Sequence, residues 1–186
     1  MDTIHALDWW VVRELALWAG DNVWSSFATV LIAEFLIVIP ILTVYILWRR
    51  PEPLSHKHGN QKAALMAVLV VVFGLAFKAV LNFMLFRERP FVTHPELANL
   101  PLHVDPASFP SGHTLITFAI AFSIWHSGMH RLGKWLLFLS LLIALSRIAA
   151  GVHYPTDILG GIVVAYCASW YLHREASSIR RFLPNH

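Results

Sequence analysis

The sequence predicts an all-α integral membrane protein of five or six helices, and three observations predict it. Of its 186 residues, 57% are apolar and only 13% charged, where a water-soluble domain carries about a quarter charged residues. Mean hydropathy is +0.60. The apolar residues fall into blocks close to the ~20 helical residues that cross a hydrocarbon core of ~30 Å. The scarcity of charge excludes disorder, and the single cysteine, Cys167, excludes a disulfide scaffold. At this length, residues 1–186 are expected to form a single domain.

Taken in order, residues 1–24 are expected to be an interfacial N-terminal segment. There Trp9, Trp10, Val11, Leu15, Leu17 and Trp18 mix with acids, as suits a helix lying in the membrane surface. No basic start with an apolar core and small-residue cleavage site follows, so no signal peptide is expected. Five spans are predicted near 25–48, 63–86, 113–127, 133–150 and 155–172. The third is the shortest, about 22 Å at 1.5 Å per residue, and is read as a crossing that begins below the headgroups. Trp24, Trp48, Trp125, Trp135 and Trp170 fall at span ends, as an aromatic belt requires.

Loop charge orients the chain. Arg49, Arg50, Lys57 and Lys62 outweigh Glu52 in the first loop, Arg131 and Lys134 stand unopposed in the third, and Arg174, Arg180 and Arg181 outweigh Glu175 in the tail. Residues 87–112 and the N-terminal segment are net acidic. Positive loops stay cytoplasmic, which puts the N-terminus outside and the C-terminus inside. The net charge of +3 is therefore a topology signal and not a nucleic-acid footprint.

Three polar segments fall on the outer side. Lys78 and Asn82 lead into Arg87-Glu88-Arg89-Pro90; Pro110-Ser111-Gly112-His113 opens the third span; Ser146-Arg147, five residues, His153, three residues and Asp157 bridge the last two spans. Arg87, Arg89 and Arg147 are permanent cations whose forked donors match phosphate oxygens. Ser111-Gly112-His113 sits at a helix N-terminus, where backbone N–H groups and the helix dipole favour an anion, and Gly112 allows close approach. Asp157, in the first turn after Pro155, can hold one ring nitrogen of His153 and leave the other as a nucleophile. His113 can protonate the departing oxygen. The chemistry read from these residues is phosphoryl transfer through a phosphohistidine, with arginines in place of a metal.

These segments resemble the type 2 phosphatidic acid phosphatase (PAP2) superfamily, whose motifs are Lys-x6-Arg-Pro, Pro-Ser-Gly-His and Ser-Arg-x5-His-x3-Asp. The second is matched by Pro110–His113, and the third in full by Ser146, Arg147, His153 and Asp157. The resemblance runs from Lys78 onward. It implies a PAP2-type bundle with His153 as nucleophile, Asp157 as its partner and His113 as general acid, with Arg89, Arg147, Ser111 and Gly112 binding phosphate. The first motif departs: seven residues before Arg89 stands Asn82, and Lys78 is one helical turn earlier on the same face. Either Lys78 reaches toward the phosphate or Arg87 supplies the charge.

Arg-Pro-Phe-Val-x-His at 89–94, Asp-x-Ala-Ser-Phe-Pro-Ser at 105–111 and Gly-x-His-Tyr-Pro-x-Asp-Ile-Leu-Gly at 151–160 resemble undecaprenyl-diphosphate phosphatases of the bacitracin-resistance type. That resemblance implies hydrolysis of undecaprenyl diphosphate to undecaprenyl phosphate and inorganic phosphate, recycling the cell-wall lipid carrier. It also implies a bacterial inner-membrane location with a site facing the periplasm, and a polyprenyl or other lipid phosphate as substrate. The alternative within the superfamily is a phosphatase for phosphatidylglycerophosphate, phosphatidate or lipid A. A Ser/His intramembrane protease would leave the arginines unexplained, and an anion transporter would not hydrolyse its ligand.

Glu34 and Lys78 are ionisable groups inside spans at matching depth; they read either as an ion pair tying the first two spans together or as two groups that each face a water-filled pocket. His94 and His103 lie in the outer loop and read as solvated residues, with contact to a second phosphate as the alternative. His56, His58, His126, His130 and His173 are scattered on the cytoplasmic side and match no zinc spacing. No metal and no cofactor are expected.

Overall fold

The computed structural model describes residues 3–50, 59–95 and 107–182, with side chains as far as Ser177. The described residues are helical nearly throughout and contain no named strand; Glu88 and Ala107 form an isolated antiparallel bridge. In order they are α1 Thr3–Gly20, α2 Val23–Val30, a π-helical turn Leu31–Phe35, α3 Val38–Arg49, α4 Gly59–Met84, α5 Pro90–Thr93, α6 Gly112–His126, α7 His130–Ala149 and α8 Pro155–Phe182. Helices therefore occupy each of the five stretches expected to span, α8 running ten residues beyond its expected end.

Three of these helical stretches are long and apolar enough to cross a membrane: Val23–Arg49, Gly59–Met84 and His130–Ala149. Their large side chains face outward, among them Phe73, Phe77, Val72, Phe138 and Leu141. That is the inverse of a soluble fold and the arrangement a lipid surround stabilises. The protein is an all-α integral membrane protein.

Local sequence explains the breaks. Asn22 caps α2, its side chain accepting from the backbone of Trp24 and Ser25 at 3.0 Å each. The π-helical turn lies just ahead of Pro40, which has no N–H to give and would clash with a regular carbonyl four residues back. Irregular turns of this kind concentrate at functional positions, and this one carries Glu34.

Helix α6 is the axis of the bundle, packed against α3, α4, α7 and α8. It is buried on nearly every side through Thr114, Leu115, Thr117, Phe118, Ala119, Ile120, Ala121, Ser123 and Ile124, which is how a central helix reads. Glycines set how closely α8 approaches it. A methyl on Gly161 would stand 2.9 Å from the Ser111 carbonyl oxygen, and one on Gly160 would collide with the Phe109 ring.

Helix α1 packs on α7 and α8, turning Asp8, Val12, Ala16 and Ala19 inward and Ile4, Leu7, Trp10, Leu17 and Trp18 outward. One acid of the segment thus faces the protein interior.

Candidate active site

The third motif owes its spacing to a helix end and a helix start. Helix α7 closes with Gly151 at φ 68°, the left-handed conformation that glycine adopts without strain. Gly151 N–H bonds the Ile148 carbonyl at 2.9 Å and Val152 N–H bonds the Arg147 carbonyl at 3.2 Å, the paired bonds of a Schellman terminus. This turn sets the distance from Arg147 to His153. Pro155 then opens α8, and Asp157 Oδ2 reaches back to accept the Tyr154 N–H at 2.8 Å, as the third residue of a capped helix does. Both devices put His153 in the connection, 2% exposed, with Asp157 fully buried.

His153 has different neighbours at its two nitrogens. Arg89 Nη1 lies 3.1 Å from Nε2 and also donates to the Val152 carbonyl at 3.1 Å. A guanidinium has no acceptor, so this contact makes Nε2 the lone-pair nitrogen and places the proton on Nδ1. Nδ1 stands 3.4 Å from Ser108 Oγ and 3.7 Å from Asp157 Oδ2; Ser108 donates in turn to Asp157 Oδ2 at 2.5 Å. Burial, the largest influence, pushes the His153 imidazole down from 6.5 to about 4; Asp157 opposes this, while Arg89 and Arg147 add to it. The ring is a neutral base at neutral pH.

The second motif is held to the third by Ser111 N–H, which donates to the Asp157 carbonyl at 3.1 Å. Ser111 is the residue before α6, and its side chain does not cap the helix. Its hydroxyl instead accepts from Thr114 Oγ1 at 3.0 Å. Arg147, Glu34 and Arg89 are the charges that act on the His113 imidazole. The charges of Arg89 and Arg147 thus act on both histidines. Arg147 is 1% exposed, and its Nε has no hydrogen-bond partner among the described residues. A buried donor left unmet costs about 1–3 kcal/mol, and an oxyanion is its natural acceptor.

The first motif is rearranged as the sequence suggested. The Asn82 amide accepts from Lys78 Nζ at 2.9 Å and donates to the Phe109 carbonyl. The Lys78 stem passes Gly112, where a methyl would sit 3.4 Å from Lys78 Cε. Lys78 and Asn82 together hold the loop that opens α6.

Glu34 and Arg87 have partners that the sequence did not indicate. Glu34 pairs with Arg147, which also donates to the Ala33 carbonyl at 3.3 Å. The π-helical turn swings Glu34 toward α7, where the cation is the more deeply buried. Arg87 was expected among the phosphate-binding groups, but its donors go to Asp8, Thr156 and Asp157 at 2.8, 2.6 and 3.1 Å, with Tyr154's ring 3.8 Å below. It braces the back of the site. His94 stacks on Trp9 at 3.6 Å, beside a cleft of about 520 Å³ lined also by His5, Arg87, Glu88 and Tyr154. His103, Asp105, His56 and His58 lie outside the described residues.

Sequence reasoning missed Ser108 and Asp8. Ser108 is fully buried and anchored by its N–H to the Arg87 carbonyl at 2.8 Å; the only sign of it was its place in the 105–111 pattern. Asp8 counted merely as a loop charge.

Known proteins resemble this chain in sequence and in fold. The chain is 36% identical over 155 residues to the protein named undecaprenyl-diphosphatase BcrC of Bacillus subtilis (strain 168), covering 83% of this chain and 76% of that one. Its fold is similar to the crystal structure of Aquifex aeolicus LpxE (TM-score 0.66, 21% identity, 88% of this chain and 94% of that one). It is equally similar to a transmembrane PAP2-type phosphatidylglycerolphosphate phosphatase from Bacillus subtilis (TM-score 0.65, 21% identity, 98% and 90%). Residues 63–179, from the first turns of α4 into the last turn of α8, match the PAP2 superfamily, and the chain belongs to that family of phosphatases.

Proposed function

We propose that this protein hydrolyses undecaprenyl diphosphate to undecaprenyl phosphate and inorganic phosphate, on the outer face of a bacterial inner membrane. The observation that carries the reading is His153 itself, with Nε2 facing Arg89, Nδ1 backed by Ser108 and Asp157, and a second buried arginine, Arg147, whose Nε–H is unmet among the described residues. The name of the Bacillus subtilis relative supports the substrate. The loop charges support the outward site.

Arg89, Arg147, Lys78 and the N–H groups at the tip of α6 gather the terminal phosphate. His153 Nε2 attacks its phosphorus, and the bond to the bridging oxygen breaks as His113 delivers its proton to that oxygen. Undecaprenyl phosphate leaves. The Nδ1–H of His153 stays directed at Ser108 and Asp157, whose carboxylate stabilises the charge the ring acquires. Water, yielding a proton to His113, then attacks the phosphorus; the N–P bond breaks and inorganic phosphate departs. Guanidinium and ammonium groups supply the positive charge, so no metal takes part in this scheme.

The test is phosphate release from purified protein in detergent, with undecaprenyl diphosphate, phosphatidylglycerophosphate and phosphatidate as parallel substrates. Undecaprenyl diphosphate should have the highest kcat/KM, EDTA should leave turnover intact, and His153→Ala should lose about 10³-fold or more. Preference for another lipid reassigns the substrate. Loss of activity in EDTA with recovery in magnesium contradicts the metal-free scheme.

A further inference from the structure

Asp8 is a carboxylate at 3% exposure on a helix whose outer face is apolar. A charge so placed is costly unless it is fully paired, and Asp8 is paired three times. Its oxygens accept from Arg87 Nη2 at 2.8 Å, from the Thr156 backbone N–H at 3.1 Å and from the Thr156 hydroxyl at 2.5 Å. Thr156 is the second residue of α8, so α1 supplies a cap to the first turn of another helix, the same turn that carries Asp157.

Arg87 is shared. While Nη2 is held by Asp8, Nη1 donates to Asp157 Oδ1 at 3.1 Å and to Thr156 Oγ1 at 2.6 Å, and the guanidinium lies 3.8 Å from the Tyr154 ring centroid. The cation is thus fixed between two carboxylates. The outer oxygen of Asp157 takes Arg87, and the inner one takes Ser108 and the Tyr154 N–H. Rotating that carboxylate to release Arg87 would break the bonds that aim it at His153 Nδ1. Arg87 borders the open cleft between α1 and Tyr154, so without Asp8 it has solvent to turn into.

We propose that Asp8 is a positioning residue for His153, acting through Arg87 and Asp157, so that the N-terminal helix is part of the phosphatase machinery. The proposal rests on the reading of His153 as nucleophile. Helix α1 lies outside residues 63–179, the part that matches the PAP2 superfamily, so this brace comes from outside the matched segment. Because Asp8 is aimed at the back of the nucleophile and not at the phosphate, its loss should slow turnover without weakening substrate binding.

The experiment is a kinetic cycle on the full-length protein with Asp8→Asn, Asp8→Glu, Arg87→Gln and the double variant Asp8→Asn/Arg87→Gln. Asp8→Asn should lower kcat by about ten- to a hundredfold, the range that small misplacement of a reacting group produces, with KM within about threefold of wild type. The factor should be the same on every lipid phosphate turned over. Asp8→Glu should recover part of kcat, and the double variant should be no slower than Arg87→Gln alone, since both act through one unit. If Asp8→Asn fails to fold, Thr156→Val, which removes the hydroxyl joining Asp8 to Arg87, takes its place with the same kcat-only signature. Wild-type kcat in Asp8→Asn, a change confined to KM, or losses that multiply in the double variant would overturn the proposal while leaving the function intact. A wild-type protein that released no phosphate from any lipid would instead overturn the proposed function.

Discussion

Two pairs of histidines, one toward each end of the bundle, have opposite surroundings. At the end formed by the start of α4 and the finish of α6, His126 Nδ1 lies 2.8 Å from Ser169 Oγ. His173 is 3.0 Å from the Ser169 carbonyl oxygen through Nδ1 and 3.3 Å from Ser127 Oγ through Nε2. The rings are 5.4 Å apart, over a cleft of about 210 Å³ lined by Lys62 and, among the described residues, by no carboxylate. Both nitrogens of His173 are occupied by protein oxygens. At the other end His153 has a carboxylate and a serine behind one nitrogen and a guanidinium before the other, and the charges of Arg147 and Arg89 act on His113 as well. Imidazoles alone do not make a phosphoryl-transfer site. What does is a fixed tautomer, with the free nitrogen facing cations that a phosphate can bridge.

That contrast can be broken most directly by exchanging which end is damaged. His113→Ala should reduce kcat by about 10²–10⁴-fold, the contribution of a positioned acid–base group, whereas His126→Ala should stay within about twofold of wild type in phosphate release. Arg147→Met should cost about 10²–10³-fold, as removal of one oxyanion donor does; Lys62→Met, in the opposite cleft, should leave turnover unchanged.

Packing sharpens the comparison next. Gly161→Ala drives a methyl to 2.9 Å from the Ser111 carbonyl, and forced overpacking of this kind costs about 1–3 kcal/mol. It should lower both the melting temperature in detergent and kcat, because the displaced backbone is the tip of α6. Gly128→Ala, in the α6–α7 turn at φ 88° with open space around it, should lower the melting temperature by a similar route of strain while leaving kcat alone.

The smallest effect expected is on pH dependence. Burial holds His153 at about 4, below the ordinary 6.5. Between these values the unfolded chain binds a proton that the folded protein does not, so stability falls as pH drops from about 6.5 toward 4. Differential scanning fluorimetry across this window should show a falling melting temperature, and His153→Gln should flatten the slope.

How much of this was legible in the sequence differs between the same two regions. The helices and the Arg147, His153 and Asp157 constellation were readable because helix ends dictate them: glycine for a left-handed turn, proline for a first turn, an acid three residues into a helix. His126 and His173 were set apart in the sequence by their place on the cytoplasmic side and by a scatter that matches no zinc spacing. The partners of Glu34 and Arg87 were not. Both depend on which helix faces which across the bundle, and a period of 3.6 residues gives a face but no neighbour. Asp8 was invisible for the same reason, since its three donors come from residues about 80 and 150 positions away. Ser108 gained a role only once the Glu88–Ala107 bridge carried it behind His153.

The central claim, that His153 carries the phosphoryl group, is tested most directly by acid-and-base quench of the enzyme turning over undecaprenyl diphosphate labelled in its terminal phosphate. The account predicts a protein-bound label that survives alkali and is lost in acid, as a phosphoramidate is, and that is absent in His153→Ala. Turnover and label that persist in His153→Ala, or a label stable to acid, would contradict it.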